Sequence, residues 1–348
     1  MRAPPVALTW AVWLGAVVAV TALFVAVGIT PTQATHEGMA GVAWQGPLWP
    51  LRSWDFGWYA RIAEHGYPSQ VAREHAFYPL WPALLALLSP LGASAAGALL
   101  AVPASLAAFA GVARLAPRGE ERRAAVALAL LPFSFALALL YPDGLTLACA
   151  AWACVLARGG RVAPAFALGL LAGFARPDGV LAAIPAGWLA WRARGPVAGL
   201  ATAAGPVVGA VAAQGVLWQT SGDPLAFTHA QDFWARGKPY DLISSLVDVV
   251  ETGHVQTLVE AAVAGLAIWL CIRLWRAGLA APWGWFAAAV LAVSLGSGSF
   301  QSIGRHALFA FPLVWMAARA CAGRERIAVA AGVACNAVLL AALSVFAP

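Results

Sequence analysis

Residues 52–82, RSWDFGWYARIAEHGYPSQVAREHAFYPLWP, decide how this chain is read. They carry three acids, three arginines, two histidines and a run of tryptophans and tyrosines, in a chain where 10% of residues are charged. Long apolar segments lie on either side. A dense island of charge between such segments reads as a loop at a membrane surface, with Trp and Tyr as interface anchors. Anchoring explains the aromatic residues. It does not explain the acids and arginines interleaved with them, and it makes Asp55, which follows Trp54 and precedes Trp58 and Tyr59, a candidate for chemistry. The bland alternative is a solvated loop acid paired with Arg52 or Arg61.

The rest of the chain agrees with a membrane setting. Its 348 residues are 62% hydrophobic, against about 45–50% apolar and about 25% charged in soluble domains. Apolar segments run at Val6–Ile29, Ala95–Leu115, Ala124–Tyr141, Leu145–Ala157, Val162–Ala175 and Val180–Trp191. They continue at Val197–Trp218, Ala261–Trp275, Leu279–Leu295, Ala307–Ala318 and Ile327–Phe346. A transmembrane helix needs roughly 20 apolar residues, so several of these are short. Val6–Ile29 reads as a retained first span, too long for a signal peptide's apolar core. The fold expected is an all-α polytopic membrane protein, one integral domain over residues 1–348 with about 11 transmembrane helices.

Charge sorts the connections into two sets. Arg2, Arg114–Arg123, Arg158/Arg161, Arg192/Arg194, Arg273/Arg276 and Arg319–Arg326 hold 14 arginines against three acids. The stretches 30–76, 142–144, 176–179, 219–260 and 297–306 hold seven basic residues, the other 12 acids and all six histidines. The positive-inside rule puts the first set in the cytoplasm, leaving 30–76 and 219–260 as the first and second external loops. Alternation holds if 77–117 crosses once, with the proline-interrupted Phe77–Leu91 as a re-entrant or surface element. The net charge of +6 is therefore topology rather than a nucleic-acid groove. The five cysteines all fall in or beside apolar segments and read as small packing residues, neither a disulfide framework nor a thiolate metal cage.

Beyond Asp55, the first external loop offers Glu64 and His75. Together with His65 these lack tight ligand spacing, so no metal site is expected. Tyr141-Pro142-Asp143-Gly144 and Arg176-Pro177-Asp178-Gly179 are turn sequences, and turn formation alone explains Asp143 and Asp178. Arg176 runs against the charge bias of its side of the membrane, and a guanidinium there suits a phosphate. Arg305-His306, behind the flexible Ser297–Gly304 stretch, repeats that logic, with headgroup snorkelling as its alternative. Trp234 and Arg236, in a loop mixing aromatics with cations, suit a sugar-binding lid or an interfacial helix.

The order Trp54-Asp55-x-x-Trp58-Tyr59-x-x-Ile62-Ala63-x-x-Gly66-Tyr67, then Phe77-Tyr78-Pro79-Leu80-Trp81-Pro82, resembles bacterial PIG-V-like mannosyltransferases. Arg176-Pro177-Asp178-Gly179 is similar to that family's Arg-Pro-x-Gly turn. Gly304-Arg305-His306 with Phe311-Pro312-Leu313 is similar to its Arg-Tyr…Phe-Pro-Leu segment. The chain departs from the family at Tyr141-Pro142-Asp143, where many relatives carry Tyr-Ser/Thr-Glu. The resemblance implies a GT-C fold in a bacterial plasma membrane and a catalytic carboxylate in the first external loop, which Asp55 matches. It also implies a polyprenyl-phosphate-mannose donor and no cofactor. Sugar-transferring chemistry on the outer face needs a donor that crosses as a lipid, because nucleotide sugars are not available there. Asp55 is then the candidate base, Arg176 and Arg305 the candidate phosphate ligands. Trp54, Trp58, Tyr59, Glu64, His75, Asp143, Asp178, Trp234, Arg236 and His306 are the other candidate substrate contacts. The acceptor, a glycolipid, polysaccharide or protein hydroxyl, is left open by these residues. A polytopic transporter or lipid flippase is the alternative, with the membrane lipid itself as partner.

Overall fold

The computed structural model describes residues 5–26, 49–52, 55–234, 255–300 and 302–345, with two further positions, Ile243 and Val247. Among them every regular element is helical. In chain order the helices are α1 Val6–Ala26, α2 Phe56–His65, α3 Leu80–Leu87, α4 Ala93–Leu115, α5 Glu121–Leu130, α6 Asp143–Arg158 and α7 Val162–Ala175. They continue as α8 Ala183–Arg194, α9 Pro196–Ser221, α10 Ala226–Ala230, α11 Val255–Arg276, α12 Trp285–Leu295, α13 Ile303–Phe309, α14 Pro312–Ala320 and α15 Glu325–Val345.

Four of these, α1, α4, α9 and residues Thr257–Arg276 of α11, are long and apolar enough to cross a membrane. At 1.5 Å per residue they reach about 30 Å or more, the thickness of a hydrocarbon core. Val162–Ala175, Ala280–Leu295 and Arg326–Leu340 are shorter apolar helical stretches. Large aliphatic side chains such as Leu8, Val197, Leu200, Val211 and Val338 point outward, a surface suited to lipid. The protein is helical and of membrane type.

The core is built around α6, whose Ala148, Cys149, Ala150, Ala151, Ala153, Cys154 and Ala157 are all buried. Small residues let α4, α7 and α8 approach it closely. In lipid, where apolar surface alone does not drive association, such contacts hold helices together. The same applies between α7 and α9, where a side chain on Gly173 or Gly209 would overlap backbone carbonyls of the facing helix. Cys149, Cys154 and Cys271 are buried free thiols, in keeping with packing.

Several expected continuous segments are broken, and the breaks have identifiable causes. Ala124–Tyr141 is helical only to Leu130. Pro132 drives Leu131 to extended backbone, Phe133 turns left-handed at φ 67°, and a 3₁₀ turn over Ser134–Ala138 follows. The freed polar groups find partners: Leu140 N–H donates to Leu51 O at 3.0 Å, and Trp81 Nε1 donates to Leu140 O at 3.0 Å. Asn336 Nδ2 donates to Leu131 O at 3.0 Å. Irregular backbone among membrane-type helices persists where it is satisfied inside the protein like this. Ala307–Ala318 is also divided, with Pro312 opening α14 after the break at Ala310-Phe311. Phe77–Leu91 holds the eight-residue α3, about 12 Å long and too short to span. The stretch between α9 and α11 is shorter than 219–260, because α9 runs on to Ser221, stopped by left-handed Gly222, and α11 begins at Val255. Polar Gln219, Thr220 and Ser221 ended the apolar run without ending the helix.

Among the described residues, members of the two charge sets lie at opposite ends of α6, Asp143 at its start and Arg158 at its close. At its C-terminal end Arg158 donates to the Arg114 carbonyl at 2.6 Å. Arg194 lies over Gly160 there, and Arg319 pairs with Glu120. At its N-terminal end lie the groups described next.

Candidate active site

Asp55 immediately precedes α2, which presents Phe56, Trp58, Tyr59 and Ile62 to the core. That amphipathic face fixes where the carboxylate goes. Its Oδ2 accepts from Arg305 Nη1 of α13 at 2.6 Å, although 250 residues separate the two. Neither Arg52 nor Arg61 takes that place: Arg52 donates to Ser94 Oγ at 3.2 Å and Arg61 pairs with buried Glu74 at 3.0 Å. The Asp55 and Arg305 side chains are 20% and 11% exposed. Arg305 Nη2 donates to Ser302 Oγ at 3.2 Å, and the guanidinium lies 5.4 Å over the Tyr141 ring. Ser302 N–H in turn donates to Glu260 Oε1 of α11 at 3.1 Å, tying the start of α13 to a neighbouring helix. Gly304 admits the Phe133 ring, which would overlap any side chain there.

Arg176 follows α7 and extends away from it at φ −153°, ψ 152°. Its Nη1 lies 2.9 Å from Asp143 Oδ2 at the start of α6. Its Nε donates to Asp178 Oδ1 at 3.0 Å, and Nη2 to Oδ2 at 3.4 Å. Asp143 Oδ2 lies off the N–H direction of Arg176, so it is ion-paired yet without a hydrogen bond. Gly179 lets this turn fold back on α7, since a side chain there would overlap the Ala172 carbonyl. Asp143, Arg176, Asp178 and Arg305 share one narrow pocket with Leu137, Thr146, Leu147, Leu308 and Phe309. The free space inside it is about 10 Å³, room for about one water or one hydroxyl group. Two carboxyl groups and two guanidinium groups line the pocket, with Asp55 beside them on Arg305.

An aromatic wall adjoins the cluster. Trp58 stacks on Phe77 at 6.1 Å and meets Trp234 edge-on at 5.6 Å. Tyr59 lies 5.1 Å from Phe77 and 6.3 Å from Tyr141. His75 is fully buried, and burial lowers its basicity. Its Nδ1 accepts from Ala72 N–H at 3.2 Å, so the neutral ring carries its proton on Nε2, 3.5 Å from Thr220 Oγ1. His306 Nδ1 is 2.6 Å from Ser294 Oγ.

The chain matches no protein-family model, no curated protein and no solved structure in the comparisons made.

Among the residues picked from sequence, Asp55, Asp143, Arg176, Asp178 and Arg305 come together, with Trp58, Tyr59 and Trp234 in the wall beside them. Glu64 does not join them: its side chain is 75% exposed and faces His65 at 3.9 Å. His75 is buried in a separate contact with α9. Trp54 and Arg236 lie outside the described residues. Tyr141, Ser302 and Glu260 escaped the sequence reading. For Glu260 a signal existed, an acid directly beside an apolar run; for Ser302 there was none, since its role follows from the left-handed turn at φ 68°.

Proposed function

We propose that this chain is a membrane glycosyltransferase of the PIG-V-like, GT-C type, moving a sugar from a polyprenyl-phosphate carrier to an acceptor hydroxyl. The sugar proposed is mannose, and the site proposed faces outward from a bacterial plasma membrane, in a bundle crossing it about 11 times. The observation that carries the reading is the Asp55–Arg305 pair. It joins the first charged loop to a distant helix beside a pocket that holds three more charged groups. Ionisable groups assembled within a membrane-type helix bundle are functional candidates by default.

The proposed step uses both members of the pair. Asp55 Oδ1 makes no bond to a described residue and is the oxygen offered to an acceptor hydroxyl. As the acceptor oxygen bonds the anomeric carbon, its proton passes to Asp55. The bond from that carbon to the donor's phosphate oxygen breaks, and its electron pair leaves with the polyprenyl phosphate. Arg305, drawn to the phosphate, stabilises the leaving charge and in turning to it releases Asp55 to act as base. The aromatic wall of Trp58, Phe77 and Trp234 offers an apolar face to a sugar ring or lid.

The test is transfer by the purified chain in vesicles containing polyprenyl-phosphate-mannose and native membrane acceptors. Asp55→Asn is expected to lower turnover by about 10²–10⁴-fold, the usual share of a general base. Undiminished transfer by Asp55→Asn, or vesicles that move a labelled lipid across the bilayer with no glycosyl transfer, would overturn it. The latter result would favour a flippase.

A further inference from the structure

Arg176 and Arg305 read alike in the sequence, as arginines at apolar helix ends, but their surroundings differ. Arg305 faces one carboxylate, Asp55, and turns its other amino group to the neutral hydroxyl of Ser302. Arg176 lies between two carboxyl groups, Asp143 and Asp178, and all three side chains are nearly buried. Arg176 is in direct ion pair with two carboxyls and Arg305 with one; the Asp143 charge reaches both guanidiniums but touches only Arg176. Coulomb repulsion in a poorly solvated pocket therefore favours the Arg305 side for an anion.

What the Arg176 side presents to the pocket is acceptor capacity. Asp143 is about nine-tenths buried, lines the pocket and leaves Oδ2 without a hydrogen bond. Its ion pair with Arg176 offsets part of the cost of burial, and the oxygen can still accept a hydrogen bond from a ligand. The groups that satisfy carboxylate oxygens without adding negative charge are neutral O–H donors. Leu308 and Phe309 supply an apolar flank in the same pocket.

We propose that Asp143 and Asp178, held in place by Arg176, form a subsite for a hydroxyl group of the donor's sugar, while the phosphate goes to Arg305. This rests on the glycosyl-transfer reading and deepens it. Arg176 is then a positioning residue and not a phosphate ligand. The donor sugar is the occupant because Arg305 borders the same pocket, and a sugar next to the phosphate falls between the two arginines.

The experiment compares binding of bare polyprenyl phosphate, polyprenyl-phosphate-mannose and its deoxy-sugar analogues to the full chain in nanodiscs. Wild type is expected to prefer the sugar-bearing lipid about tenfold or more, as for one hydrogen bond to a charged group, and to lose that preference with a deoxy analogue. Asp143→Asn and Asp178→Asn are expected to lose the preference while binding bare polyprenyl phosphate at least as well as wild type. Arg305→Gln is expected to weaken both lipids alike. The proposal is overturned if wild type has no sugar preference, or if Arg176→Gln weakens bare polyprenyl phosphate as much as Arg305→Gln does. The deoxy analogues probe unaltered protein, so a misfolded variant cannot mimic the result. Should wild type bind neither lipid, the glycosyl-transfer reading itself fails; should it bind bare polyprenyl phosphate and transfer sugar without any sugar preference, only the subsite assignment fails.

Discussion

Arginine–carboxylate pairs occur at both ends of the bundle, and they differ in burial. At one end Arg319 lies 3.0 Å from Glu120, with the side chains 36% and 24% exposed, and Arg158 covers a helix-terminal carbonyl. At the other, Asp55 with Arg305 and Arg176 with Asp143 and Asp178 are largely shut away from water. An exposed pair is worth about 0–1 kcal/mol. A buried pair costs several kcal/mol in desolvation, so it is seldom the most stable choice for its place. The first end carries charges that suit a membrane surface. The second gathers charges from separate stretches at a cost in stability, as expected where they act on a ligand.

The largest effect that would sharpen this contrast is at Arg176. Arg176→Leu leaves Asp143 and Asp178 without their counter-charge, and thermal melts in detergent should show a loss of about 3–5 kcal/mol. A loss no greater than that of Arg319→Leu would erase the difference between the ends. Next comes Gly179→Ala, whose added methyl overlaps the Ala172 carbonyl. About 1–3 kcal/mol is expected from that overpacking, with transfer activity falling further than stability because the turn carries both Arg176 and Asp178. Ser302→Ala removes one hydrogen bond to Arg305 and should cost about 1 kcal/mol. Smallest is Arg319→Ala at the exposed end, below about 1 kcal/mol, and salt should shrink it further.

The sequence made part of this arrangement legible. Charge sorting between apolar runs separated the two ends, because polar groups between membrane-type helices have few other places to go. Aromatic and acidic residues packed into 52–82 marked the stretch whose Asp55 pairs with Arg305. What could not be read was which charges meet. Asp55 and Arg305 are 250 residues apart and meet only through tertiary packing, and an apolar run such as Ala124–Tyr141 gives no sign of where its helix yields to a 3₁₀ turn. Local spacing offered Arg52 and Arg61 as partners for Asp55, yet tertiary packing turned them to Ser94 and Glu74. Arg176 and Arg305 looked equivalent for the same reason: their difference lies in how many carboxyls pair with each, a property of the folded turn.

Two acids of the first loop offer the most direct test of the central claim. Asp55 and Glu64 are nine positions apart, one bonded to Arg305 at the buried end and the other in solvent. Turnover of polyprenyl-phosphate-mannose should fall by about 100-fold or more in Asp55→Asn and stay within about twofold of wild type in Glu64→Gln, a surface change of the kind that is usually near neutral. Equal effects of the two substitutions, whether both large or both negligible, would contradict the claim that the paired carboxylate is the one that reacts.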